Sequence, residues 1–247
     1  MIRFITIAVF FAANLLVAQS FGQNKVQYRN FDWSFITSPH FDIYYYGDAI
    51  DLAQYTAEKG EEAYEQISKH LRWTLRKRVP IIIYHSHNDF QQTNVVLPYM
   101  QEGIGGVTEL FKNRVVIPFE GDYDQFRHVI HHELVHALIN DMIYGSAQNV
   151  ASGRVRLRVP LWANEGLAEF LSMNWDTQSD MILRDLAVHE EMPTVQQLES
   201  FLAYKGGQSV WRFIAQKYGR EKIGEIFTSM KLTQNAEKGF DKAIGMD

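Results

Sequence analysis

Residues 128–136 read His-Val-Ile-His-His-Glu-Leu-Val-His and contain the run His132-Glu133-Leu134-Val135-His136. On a helix, residues four apart lie one turn above each other on one face, so the imidazoles of His132 and His136 can reach a single metal ion. Glu133 lies about 100° further round, at about 3.6 residues per turn. It can lean over a metal-activated water without binding the metal. The pair His128 and His132 has the same spacing, but Val129 follows His128 and leaves that register without a base. The chemistry implied is hydrolysis by a metal and a carboxylate working together.

A catalytic zinc takes three protein ligands and keeps one position open. Residues 161–169 read Leu-Trp-Ala-Asn-Glu-Gly-Leu-Ala-Glu, a helical segment with Glu165 and Glu169 four apart on one face. This pairing of segments resembles the gluzincin metallopeptidases, the thermolysin-like group. It is similar in particular to the peptidase MA-like family, whose elements follow in order: His-Glu-x-x-His, then Trp-x-x-Glu-Gly-x-Ala-Glu, then a Tyr before a Ser-containing helix. Here these are residues 132–136, 162–169 and the run Tyr204-Lys205-Gly206-Gly207-Gln208-Ser209. The resemblance implies that Glu165 is the third ligand to Zn2+ beside His132 and His136. It implies that Glu169 accepts the outer N–H of His132 and fixes its tautomer. It implies a zincin fold and a peptide or protein substrate. Such domains also head longer exported proteins that continue into a TolB-like β-propeller, which makes a propeller or another cell-envelope protein a candidate partner. The 28 residues between His136 and Glu165 exceed the thermolysin-like spacing. The extra length is read as a loop over residues 145–160 that rims and reshapes the pocket.

The expected mechanism has Glu133 take a proton from zinc-bound water and pass it to the leaving amine. The oxyanion needs a further donor. Tyr204 is the candidate, from the resemblance and its place before two glycines, with His189 a weaker one. No Gly-x-Met-Glu-Asn element for holding a free amine is present, which favours an endopeptidase. The rival class is an envelope binding or scaffold module with a latent zinc site. Against it, Glu133 is superfluous at a structural site, and structural zinc is closed by four protein ligands.

These residues need elements to position them. The aromatic-rich run 41–46 and the apolar runs 79–84 and 114–119 read as strands. Helical spacing covers 48–71, weakened at Gly60, then 123–144, then 161–173 beginning just after Pro160, then 207–218 and 221–230. Strands first and helices later make the class α+β: a small mixed sheet, an active-site helix and a helical C-terminal part. Residues 114–119, just before the metal helix, are expected to be an edge strand that pairs with extended substrate. Gly103, Gly105 and Gly106 before it suggest close backbone approach or a flap. Arg154, Arg156 and Arg158 alternate with Val155, Leu157 and Val159 at strand spacing. That stripe reads as a solvated hairpin face before it reads as a lipid or acidic-ligand surface, so membrane contact stays open.

Composition narrows the rest. The 247 residues are 46% hydrophobic and 21% charged, ordinary for a folded chain. A net charge of −5 gives a nucleic-acid partner no electrostatic footprint. The absence of cysteine excludes disulfides, thiolate metal sites and cysteine catalysis. Arg3 followed by an apolar block and then the small residues Ala18, Ser20 and Gly22 reads as a signal peptide over residues 1–22. Export to the periplasm, the outer membrane or the medium is therefore expected, with one metallopeptidase domain over 23–247. The chain ends at Gly245-Met246-Asp247 without propeller-type repeats and reads as a stand-alone domain or as part of a longer protein.

Overall fold

The computed structural model describes residues 25–245, so the signal-peptide segment lies outside the described residues. Five strands form one sheet: β1 Trp33–Thr37, β2 Phe41–Tyr46, β3 Val79–Tyr84, β4 Val107–Glu109 and β5 Arg114–Pro118. Their order is β1-β2-β3-β5-β4, with β2, β3 and β5 mutually parallel and β1 and β4 antiparallel at the two edges. The remainder is helical: α1 Ile50–Leu71, α2 His87–Phe90, α3 Tyr123–Ile143, α4 Ala147–Ala151, α5 Leu161–Met173, α6 Thr177–Val188, α7 Ser200–Tyr218, α8 Lys222–Thr233 and α9 Ala236–Ile244. The class is α+β with a small mixed sheet, as expected.

Period-two alternation divides the sheet between two cores. Phe41, Ile43, Ile81, Ile83, Val115 and Ile117 point into the main core with α1, α3, α5, α7 and α8. Tyr46, Tyr84 and Val116 point the other way and join Phe90 and Met100 in a smaller cluster. Helix α3 buries residues all round its C-terminal half, from His132 through Ile139. A helix so enclosed can carry polar groups only if each meets a partner. Its start is fixed by Asp122, whose carboxylate accepts from the backbone N–H groups of Asp124 at 2.8 Å and Gln125 at 3.1 Å.

Several sequence expectations change here. Residues 114–119 are not an edge strand: β5 is paired on both sides, and the edge is β4, three residues long and too short to carry a period of its own. The stripe 154–159 keeps its alternation, with Leu157 buried and the three arginines exposed, but it forms no strand because no other strand pairs with it. The segment 145–160 is not a plain loop, since α4 lies within it. Helix α7 starts at Ser200, not at residue 207. The pair Gly206-Gly207 serves close packing: a Cβ on Gly206 would run into Leu198, and one on Gly207 into the carbonyl of Trp162.

Candidate metal centre

Helix α3 supplies His132, Glu133 and His136, buried at 8%, 6% and 8% exposure. Helix α5 crosses it and brings Glu165 and Glu169 to the same place. The Nε2 atoms of His132 and His136 are 3.1 Å apart. Glu165 Oε2 lies 3.3 Å from the first and 3.1 Å from the second. His132 Nδ1 faces Glu169 Oε1 at 3.0 Å. That contact puts the ring proton on Nδ1 and turns the Nε2 lone pair toward His136 and Glu165. Three ligating atoms so close together repel unless a cation sits among them. Tetrahedral zinc with bonds of about 2.0–2.1 Å sets its ligands about 3.3 Å apart, so the donor set fits such an ion in both type and spacing.

The electrostatics agree. Burial works against a charged His132, but the bonds to Glu165 and Glu169 outweigh it and raise its pKa to about 10. Burial likewise opposes ionisation of Glu165 and Glu169. The surrounding imidazoles, and for Glu169 also Lys205, nevertheless hold both carboxyls well below the usual range. The pocket is built for positive charge.

Glu133 sits beside His132, His136 and Glu165 without joining their cluster. Thr108 Oγ1 of β4 donates to its Oε2 at 2.6 Å and lies 3.0 Å from its backbone carbonyl. Gly106 packs against it so closely that a Cβ there would lie 3.0 Å from Glu133 Cγ and 2.9 Å from Val129 Cγ1. The glycine segment is thus a close backbone approach to Glu133. Asn113, in the β4–β5 turn, donates from Nδ2 to the carbonyl of Ala137 at 2.9 Å and ties the hairpin to α3.

Tyr204 lies on α7 with its ring parallel to that of His132, centroids 6.0 Å apart. Burial and the Glu165 carboxylate push its phenol up, so it remains a protonated donor. Beside it Lys205, 8% exposed, donates from Nζ to Glu169 Oε2 at 2.8 Å. These groups open onto a cleft of about 600 Å³, lined also by residues 103–106, Met173 and Phe201. His189 is not there. It ends α6 on the surface, 2.9 Å from the Asp185 carbonyl within its own helix. Nor does the segment 145–160 line this cleft, so the extra length before Glu165 does not reshape it. His128 does approach, with Nε2 3.4 Å from Glu169 Oε1, and forms a second grouping with His132 and Glu169.

Sequence reading missed Thr108 and Lys205. No local signal marks Thr108, whose partner is 25 residues away. For Lys205 the signal was its position between Tyr204 and a glycine pair.

A buried His-Glu-x-x-His helix crossed by a second helix bearing two carboxylates defines a metallopeptidase-type centre. In keeping with it, a family model of the peptidase MA superfamily matches residues 60–247, and the chain belongs to that superfamily. No curated protein matches it significantly. Among the described residues, no helix is long and apolar enough to cross a membrane.

Proposed function

We propose that the chain is an exported zinc-dependent endopeptidase, with His132, His136 and Glu165 as the ligands and Glu133 as the general base. One observation carries this reading. The two Nε2 atoms and Glu165 Oε2 converge at 3.1–3.3 Å, with the outer nitrogen of His132 already held by Glu169. Zinc at that point supplies a Lewis acid that polarises a peptide carbonyl and acidifies water. Glu133 takes a proton from the attacking water and returns it to the departing amine. Thr108 holds that carboxylate in place. Tyr204 donates its O–H to the oxygen on which charge develops. The free edge of β4 offers backbone groups to an extended chain, which then passes alongside Glu133. Export rests on the character of residues 1–22.

The test is cleavage of a panel of denatured proteins and mixed peptides by the zinc-loaded protein, with Glu133→Gln beside it. Internal cleavage that disappears in the variant while its zinc stays bound is the expected result. Zinc bound to both and cleavage by neither overturns the proposal and moves the reading to a binding module.

A further inference from the structure

Lysine is seldom buried unless something fixes its charge. Lys205 is 8% exposed and lies behind the ligands, one residue beyond Tyr204. Its Nζ is 2.8 Å from Glu169 Oε2 and 3.8 Å from Asp176 Oδ2. Asp176 is itself pinned as the N-cap of α6, accepting from Ser179 N at 2.8 Å and Ser179 Oγ at 2.6 Å. The backbone beneath Lys205 is equally constrained. Gly207 and Gly166 bring α7 and α5 together at a distance no larger residue allows, since a Cβ on either would enter the other helix.

Glu169 has two competing neighbours at one oxygen. Its Oε1 is 3.0 Å from His132 Nδ1 and 3.4 Å from His128 Nε2. The Nδ1 of His128 is buried and without a partner, so nothing else holds that ring against the carboxylate. A carboxylate held only at Oε1 can pivot toward either imidazole. Held at Oε2 by Lys205, it cannot. Resting on the metal assignment above, we infer that Lys205 is a positioning residue: it locks Glu169 onto His132 and so aims His132 Nε2 at the metal. Its Nζ is bonded to Glu169 rather than to His132, His136 or Glu165. Its effect on the centre passes through Glu169, the carboxylate it shares with His132.

The test is cobalt titration of the full chain, reading affinity and the visible d–d spectrum, with thermal melting of the metal-free protein alongside. The variants are Lys205→Met, Lys205→Arg, Glu169→Gln and the Lys205→Met/Glu169→Gln double. Lys205→Met is expected to weaken cobalt about 10–100-fold, the range for losing a partner behind a ligand. It is expected to shift the spectrum as Glu169→Gln does, and to add less than about twofold in the double variant, because both remove one path. Lys205→Arg should restore most of the affinity. Two results overturn the inference: affinity within about twofold of wild type in a folded Lys205→Met, or losses that multiply in the double variant. If Lys205→Met does not fold, a folded Lys205→Arg decides. Near-native affinity and spectrum support the inference, and a tenfold loss with an altered spectrum overturns it. Wild-type protein that takes up no cobalt or zinc fails the metal assignment itself, which is a separate result.

Discussion

Two of the buried carboxylate networks among the described residues are built on opposite principles. At Asp89, which is 5% exposed, every oxygen meets a donor. Tyr46 O–H reaches Oδ2 at 2.7 Å, Arg29 Nη1 approaches both oxygens at 3.2–3.3 Å, and Gln92 Nε2 reaches Oδ1 at 3.3 Å. Gln92 then accepts from the backbone N–H of Tyr28 at 2.8 Å, so the network closes and straps the N-terminal segment to the turn after β3. At the metal centre, neutral imidazoles of His132 and His136 would point lone pairs at the Glu165 carboxylate, so that cluster is satisfied only when a cation, a proton or a metal, stands among the three. Burial and perturbed titration are common to both networks: burial and Asp89 push the Tyr46 phenol up, much as burial and Glu165 do Tyr204. Those signs alone do not separate a clamp from a site. What separates them is whether the lone pairs are already satisfied.

The comparison is most easily broken with one substitution at each network. His136→Ala should abolish stoichiometric metal, measured as metal content after dialysis. Asp89→Ala should leave it at one equivalent and lower unfolding stability by about 2–3 kcal/mol, the worth of charged hydrogen bonds left without their acceptor. Metal lost in Asp89→Ala would erase the distinction.

Within the metal network the two glutamates divide by which atom they face. Glu165→Ala should weaken zinc by more than about 100-fold, and Glu169→Ala by about 10–100-fold, in a competition titration. The reverse order would exchange their roles. Tyr204→Phe should bind metal as the wild type does and lower kcat by about 100-fold with little change in KM, as for an oxyanion donor. An unchanged kcat removes Tyr204 from the reaction.

These contrasts also mark what could be read in advance. His132, Glu133 and His136 were legible because helical periodicity makes their geometry local, and Glu165 and Glu169 repeat the same four-residue spacing. The long helices were legible for the same reason, α5 to the residue. The edge of the sheet was not. β4 is three residues long and β1 is five, too short for a period to stand out from the flanking residues, and each is a strand because a neighbour pairs with it. Residues 154–159 carry the pattern and lack the neighbour. The glycines misled in a related way: Gly207 read as the start of a helix, and the pair Gly206-Gly207 lies inside it at a close contact with Leu198 and Trp162. Conformational freedom and absence of bulk look the same in a sequence.

Thr108 sharpens the comparison most finely, because it holds Glu133, the proposed base, and none of the three proposed ligands. It is one of the few side chains joining the edge strand to the metal helix, and its hydroxyl donates to Glu133 Oε2 at 2.6 Å. Thr108→Val keeps the shape and the β-branch and removes that donor. One such bond is worth about 1 kcal/mol net, or about fivefold. The variant should therefore bind zinc with unchanged affinity, melt within a few degrees of wild type and lose about fivefold in kcat, with KM little affected. Thr108→Ser, which restores the hydroxyl, should recover most of the loss. If Thr108→Val instead weakens zinc, the strand supports the ligands as well as the base, and the separation between holding the metal and holding Glu133 falls.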